Sequence, residues 1–167
     1  MINYLLLFLF PLGMAYAASS DLLTMRISNK VVLALFISFF PVALAMGMPV
    51  QQIGLHIAAA VAVLGVAFGL FAMGWVGGGD AKLAAVTGLW LGFGLTLPYL
   101  IYASLFGGGL TLAILMLRKW PLPAKLTQIA WISRLHHHKT GIPYGIALAA
   151  SGLLIYSDTA VYQYLTG

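Results

Sequence analysis

The sequence predicts an all-α fold, a bundle of six transmembrane helices in a single domain (residues 1–167) with both termini outside. Three observations predict it. Apolar residues make up 62% of the chain and charged residues 7%, whereas soluble domains carry roughly 25% charged residues. Several apolar stretches approach or exceed the length of about 20 residues that crosses a bilayer. Basic residues fall only between alternate stretches, which is the bias of loops on the cytoplasmic side.

The apolar stretches lie at about 2–18, 31–46, 53–76, 83–117 and 141–156. The fourth runs for 35 residues without a charge; as one helix it would be about 52 Å long, too long for a single crossing. We expect it to form two spans, divided at Pro98 beside Gly92 and Gly94, because proline removes a backbone hydrogen bond and clashes with the preceding turn. Six spans follow.

Three loops, at 21–30, 77–82 and 118–139, would then lie on one side. They contain all eight basic residues: Arg26, Lys30, Lys82, Arg118, Lys119, Lys125, Arg134 and Lys139. This asymmetry predicts that the three loops are cytoplasmic. A competing interpretation is a signal peptide cut after Ala15-Tyr16-Ala17, but no basic residue precedes its apolar core and removal would spoil the asymmetry.

The composition excludes several function classes. The chain has no cysteine, so it has no disulfide, thiol nucleophile or thiolate metal site. No run of five or six basic residues points to a nucleic acid partner. We expect no cofactor and no metal, since the adjacent residues His136, His137 and His138 do not share a helical face and have basic neighbours.

Carboxylates are the scarcest groups in this chain. It has no glutamate and only three aspartates, Asp21, Asp80 and Asp158. The predicted topology places Asp21 and Asp80 at the cytoplasmic boundary and Asp158 on the outer side, away from them. Two carboxylates that share a site cannot both ionise easily, and such a pair can activate water as aspartic proteases do. The alternative, that each aspartate merely caps a helix, stays open at this point.

Glycines lead directly into Asp80. Gly77, Gly78 and Gly79 permit a close backbone approach and could line a site that admits an extended peptide. Neither a phosphate-binding loop nor a dinucleotide fingerprint is present here. Lys82 could act on the Asp80 carboxyl or anchor the helix to headgroups, and the anchor is the better interpretation.

The segment Gly77-Gly78-Gly79-Asp80-Ala81-Lys82-Leu83 resembles the Gly-x-Gly-Asp-x-Lys-Leu motif of type IV prepilin peptidases, which are membrane aspartic proteases. Asp21 followed by Arg26-Ile27-Ser28-Asn29 resembles the family's first motif, and Ile142-Pro143-Tyr144-Gly145 its C-terminal segment. The resemblance implies that Asp21 and Asp80 are the catalytic pair, that the partner is a prepilin with a basic leader, and that the chain is a multi-pass protein of the bacterial cytoplasmic membrane. It implies no specific role for the Pro143-Tyr144 segment.

Two departures narrow the resemblance. Ser28 stands where the family has proline, and the first cytoplasmic loop is only about ten residues long and contains no cysteine. Larger family members carry a cysteine-rich insert there and also methylate the new pilin. The chain is therefore similar to the short, peptidase-only branch that serves Flp-type pili of tight-adherence systems, and we expect no methylation.

Two other function classes remain. A small proton-coupled carrier could use Asp21 or Asp80 as a relay, although carriers place such groups near mid-membrane and often show internal repeats. An inactive pilus-assembly partner could keep the same fold. In each case we expect anionic lipid headgroups to contact the basic loops.

Overall fold

The computed structural model describes the backbone of residues 2–166 and the side chains of residues 6–166. Within this range the protein is helical, without strands, which confirms the all-α prediction. The helices are α1 (Ile2–Thr24), α2 (Asn29–Ala45), α3 (Val50–Ala72), α4 (Gly78–Leu117), α5 (Ala124–Thr127), α6 (Ala130–His136), α7 (Tyr144–Tyr156) and α8 (Ala160–Thr166).

Three of these helices, α1, α3 and α4, are long and apolar enough to cross a membrane. The bent pair α7 and α8, at an angle of 53°, raises the number to four if it forms one span, and α2 is a shorter apolar helix. Many large apolar side chains face outward, as lipid-facing side chains do. The chain therefore has the architecture of a membrane protein, while the count of six spans and the orientation of the ends stay predictions.

The break in the long fourth stretch lies at Gly92 and not at Pro98. Gly92 has φ +66° and ψ 178°, a left-handed conformation that glycine adopts without steric cost. Pro98 lies inside the second half of α4, where the helix continues to Leu117. A Cβ built on Gly88, in the first half, would lie 3.7 Å from Oγ1 of Thr96 in the second. The two halves thus fold toward each other, and proline was the wrong place to divide them.

His56 of α3 stabilises this break. Its Nδ1 lies 2.7 Å from the carbonyl oxygen of Leu89, in the turn where the helix loses its regular backbone hydrogen bonds. A Cβ on Gly92 would lie 3.0 Å from the same imidazole ring. The histidine therefore supplies a hydrogen bond that the broken helix cannot make for itself.

Other predicted boundaries also move. Asp21 lies inside α1, so the predicted loop at 21–30 shrinks to the four residues between Thr24 and Asn29. Most of the predicted loop at 77–82 is the first turn of α4. The basic stretch at 118–139 contains α5 and α6, and the predicted polar tail contains α8. These helices include polar residues that hydropathy alone assigns to loops. Side-chain hydrogen bonds and packing stabilise the helical conformation of those residues.

The core lies where α1, α2, α4, α7 and α8 meet. Trp90 is fully buried, its ring centroid lies 5.3 Å from that of Phe10, and its Nε1 donates to the carbonyl oxygen of Leu35 at 3.0 Å. Helix α7 packs against both α1 and α4. This arrangement brings the end of α1 and the start of α4 to the beginning of α7.

Candidate active site

Asp21 lies in the last turns of α1 and is 6% exposed. Its Oδ2 accepts a hydrogen bond of 2.7 Å from the backbone N–H of Gly145, at the start of α7. The connection after it turns sharply at Met25, which has φ +55°. The carboxylate of Asp21 is therefore held by the backbone of a helix that lies 124 positions later in the chain.

Asp80 lies in the first turn of α4 and is half-buried. Its Oδ2 lies against Gly77, the residue at the N-cap of the helix. A Cβ on Gly77 would lie 2.7 Å from Oδ2 of Asp80, a distance that real Cβ atoms do not adopt. Glycine at 77 thus leaves room for the carboxylate.

The fold brings Asp21 and Asp80 together although 59 positions separate them in the sequence. The two carboxyls lie close enough to interact electrostatically. Ile27, in the connection between α1 and α2, packs between Gly145, which bonds to Asp21, and Gly79, which precedes Asp80. Its Cδ1 is 2.9 Å from a Cβ built on Gly145, and its own Cβ is 3.2 Å from one built on Gly79. The side chain of Ile27 therefore contacts both the backbone that binds Asp21 and the backbone that precedes Asp80.

The alternative that Asp21 caps the second span is wrong, because Ser28 caps α2. The hydroxyl oxygen of Ser28 accepts a hydrogen bond of 3.2 Å from the backbone N–H of Lys30. Asp80 lies in the first turn of its own helix, with Oδ2 against the N-cap residue Gly77, so for this residue the capping alternative stays open. Lys82 donates to Oδ1 of Asn29 at 3.1 Å and so ties the first turn of α4 to the start of α2.

Two arginines donate hydrogen bonds to the end of α1 and to the segment that precedes α7. Arg134 of α6 donates to the carbonyl oxygen of Leu23 at 2.8 Å. Arg118 donates to the carbonyl oxygens of Leu135 at 2.9 Å, Thr140 at 2.9 Å and Gly141 at 3.2 Å. The guanidinium of Arg118 therefore organises the chain that leads into Gly145.

A cavity of about 620 Å³ lies beside Asp80, between α3, both halves of α4 and the start of α7. Its lining is almost entirely apolar, and Asp80 and Tyr144 belong to it. The hydroxyl of Tyr144 lies 3.0 Å from Oγ1 of Thr111. An apolar cavity with a carboxyl in its wall can hold an apolar polypeptide beside a group that transfers protons.

The remaining predicted residues lie as follows. Gly77 and Gly79 pack inward against Asp80 and Ile27, and a Cβ on Gly78 would lie 3.3 Å from the ring of Phe71; their role toward a substrate stays a prediction. Asp158 follows the opposite end of α7 from Gly145. Sequence reasoning missed the contact of Gly145 with Asp21, although the resemblance of the segment 142–145 marked the right place.

The comparison with known families identifies a family for this chain. A model of the type IV leader peptidase family matches residues 8–112, which include both aspartates and the glycine-rich turn. The chain belongs to the type IV leader peptidase family. No curated protein matches the chain, and no solved structure matches it.

Membership confirms the resemblance stated from the motifs. It supports a leader-peptidase-like function, and so a protease, for this membrane protein. The matched range ends before α7 begins. Gly145, whose backbone contacts Asp21, therefore lies beyond the part of the chain that the family model matches.

Proposed function

We propose that this protein is an aspartic endopeptidase that removes the basic leader from prepilin precursors at the cytoplasmic boundary of the bacterial inner membrane. The observation that carries the proposal is the proximity of Asp21 to Asp80, together with the place of Asp80 in the wall of an apolar cavity. Family membership supports the leader peptidase class. The type of catalysis, the substrate and the membrane are our inference.

The proposed chemistry uses the two carboxyls as one proton-holding pair. One carboxylate accepts a proton from water, and the oxygen of that water attacks the carbonyl carbon of the scissile bond. The other carboxyl, which is protonated, donates a hydrogen bond to the carbonyl oxygen. The C–N bond then breaks, and the leaving amine takes a proton from the pair. This scheme requires both Asp21 and Asp80 and no cofactor.

The proposed topology has six spans, with both termini outside and the basic segments in the cytoplasm. The two halves of α4 are then separate spans that meet at Gly92. All eight lysines and arginines fall in the segments that this arrangement places inside, where they face anionic headgroups.

The short connection between α1 and α2 supports a peptidase without methyltransferase activity. Only four residues lie between Thr24 and Asn29, and the chain has no cysteine. No room exists there for the cysteine-rich insert of the larger members that methylate pilins. We therefore propose the short branch similar to the peptidases of Flp pili.

The test is leader removal from a co-expressed prepilin, which is measured as the decrease in size of the precursor. Wild type should cleave it, whereas Asp21→Asn and Asp80→Asn should each abolish cleavage while the protein still inserts in the membrane. Asp158→Asn is the matched control and should cleave as wild type does. Cleavage by either of the first two variants at the wild-type rate would refute the pair.

A further inference from the structure

Helix α3 separates two apolar grooves that open on its two sides. The first is the cavity beside Asp80. The second, of about 460 Å³, lies between α2, α3 and the first half of α4, and Lys82 and Asn29 lie in its wall. Of the two, the first groove contains a carboxyl of the proposed catalytic pair and the second contains a cation. Only the first can bring an occupant to Asp80.

The hydroxyl groups in the wall of the first groove are already hydrogen-bonded within the protein. The hydroxyl of Thr96 donates to the carbonyl oxygen of Gly92 at 2.6 Å, and that of Ser104 to the carbonyl oxygen of Leu100 at 2.8 Å. The hydroxyl of Tyr144 is bonded to Thr111. The groove therefore presents an apolar surface along its length and a reactive carboxyl where it meets α4.

The first groove is also open along the outer surface of the helix bundle. Val66 of α3 is 69% exposed and Leu97 of α4 is 66% exposed, and both line it. Along α3 the lining runs from residue 62 to residue 70, a rise of about 12 Å or two helical turns. An occupant can enter from the bilayer without passing through the protein.

We infer that the apolar helix of the precursor enters between α3 and the second half of α4 and lies in the first groove, with its scissile end at Asp80. This inference rests on the proposed function. The occupant must be apolar along two turns and must place a peptide bond at the carboxyl, because the lining is almost entirely apolar and its hydroxyl groups are hydrogen-bonded within the protein. Val66 and Leu97 would then select for the apolar segment.

Two exposed valines of the same helix provide a matched test. Val66 lines the first groove and Val61 the second, and they are 69% and 63% exposed. Val66→Trp should fill the first groove and slow cleavage of the precursor by about tenfold or more, the effect of losing about 1.4 kcal/mol of binding. Val61→Trp should leave the rate within about twofold of wild type.

Crosslinking gives a second readout that does not depend on turnover. The chain has no cysteine, so a single cysteine at 66 or 61 can carry a photo-crosslinker in the Asp80→Asn background, which keeps the precursor intact. Adducts with the apolar segment of the precursor are expected from Val66→Cys and not from Val61→Cys. Equal adducts from both positions, adducts from Val61→Cys alone, or lipid adducts alone at Val66→Cys would overturn the inference.

Different results would refute the assignment of the groove and the proposed function. If wild type cleaves and Val66→Trp cleaves equally well, the groove assignment is wrong and the peptidase stands. If wild type does not cleave any prepilin, the proposed function itself is wrong.

Discussion

The backbone N–H of Gly145 holds the carboxylate of Asp21 at 2.7 Å, and a Cβ on Gly145 would lie 2.8 Å from that carboxylate oxygen and 2.9 Å from Cδ1 of Ile27. Glycine is therefore required at 145 by space and not by backbone conformation. The start of α7, outside the range that the family model matches, sets the position of one proposed catalytic carboxyl.

Gly145→Ala tests this relationship. The new methyl group must displace Asp21 or Ile27, and a displacement of about 1 Å can slow catalysis by on the order of 100-fold. We expect a loss of this size in a prepilin cleavage assay with normal membrane insertion. Gly108→Ala is the control, because a Cβ there meets nothing within 4 Å. Equal activity of the two variants would show that the position of Asp21 does not depend on Gly145.

Gly77→Ala separates two roles of the glycine-rich turn. Its Cβ would lie 2.7 Å from Oδ2 of Asp80, whereas a Cβ on Gly78 would meet only the ring of Phe71 at 3.3 Å. If these glycines make room for the carboxylate, Gly77→Ala should lose most cleavage and Gly78→Ala should lose little. Loss in both variants would favour the prediction that the turn lines the path of the substrate. Gly94→Ala, with nothing within 4 Å, is the control.

His56→Ala tests the support of the break in α4. Removing the imidazole leaves the carbonyl of Leu89 without its partner at 2.7 Å, a loss of about 1–3 kcal/mol for a buried acceptor. We expect a lower unfolding midpoint in a detergent-solubilised sample, measured by a thermal shift. The exposed His138→Ala should leave the midpoint unchanged. If His56→Ala is as stable as wild type, the break does not need this hydrogen bond.

Single cysteines test the predicted topology, and the natural absence of cysteine makes the labelling clean. Arg26→Cys and Lys125→Cys should react with a membrane-impermeant thiol reagent only after cells are opened. Val50→Cys, at the first residue of α3 and 85% exposed, should react in intact cells. External labelling at Lys125→Cys would refute six spans and the shared cytoplasmic depth of the two aspartates.

Two precursor variants test how the leader is recognised. The protein's cytoplasmic segments are themselves basic, and like charges repel, so we expect anionic headgroups to attract the leader at about 1 kcal/mol per basic residue. Neutralising the leader lysines should therefore slow cleavage modestly. Enlarging the glycine before the cut should nearly abolish it if Gly77, Gly78 and Gly79 line the approach to Asp80, as the sequence predicts. The reverse order would show that the protein itself reads the charge.

Some of the molecule was predictable because the information is local. An uncharged stretch of 35 residues is too long for one span and must break, and Gly92 lies in the segment around Pro98 where the sequence predicts the break. The choice between them was wrong because proline is tolerated inside the second half of α4, whereas only glycine adopts the left-handed turn that His56 then supports. The hydropathy pattern also predicts too early an end for α1, because it contains no information about the buried backbone N–H of Gly145 that binds Asp21.

The sequence by itself determined the membrane character of the chain, the family, and Asp21 and Asp80 as candidates, because composition and short motifs carry that information. The tertiary structure decided which groups hold them. Gly145 lies 124 positions from Asp21, and the grooves on the two sides of α3 exist only where separate helices pack. Contacts of this kind depend on how whole helices meet, and no local pattern along the chain encodes them.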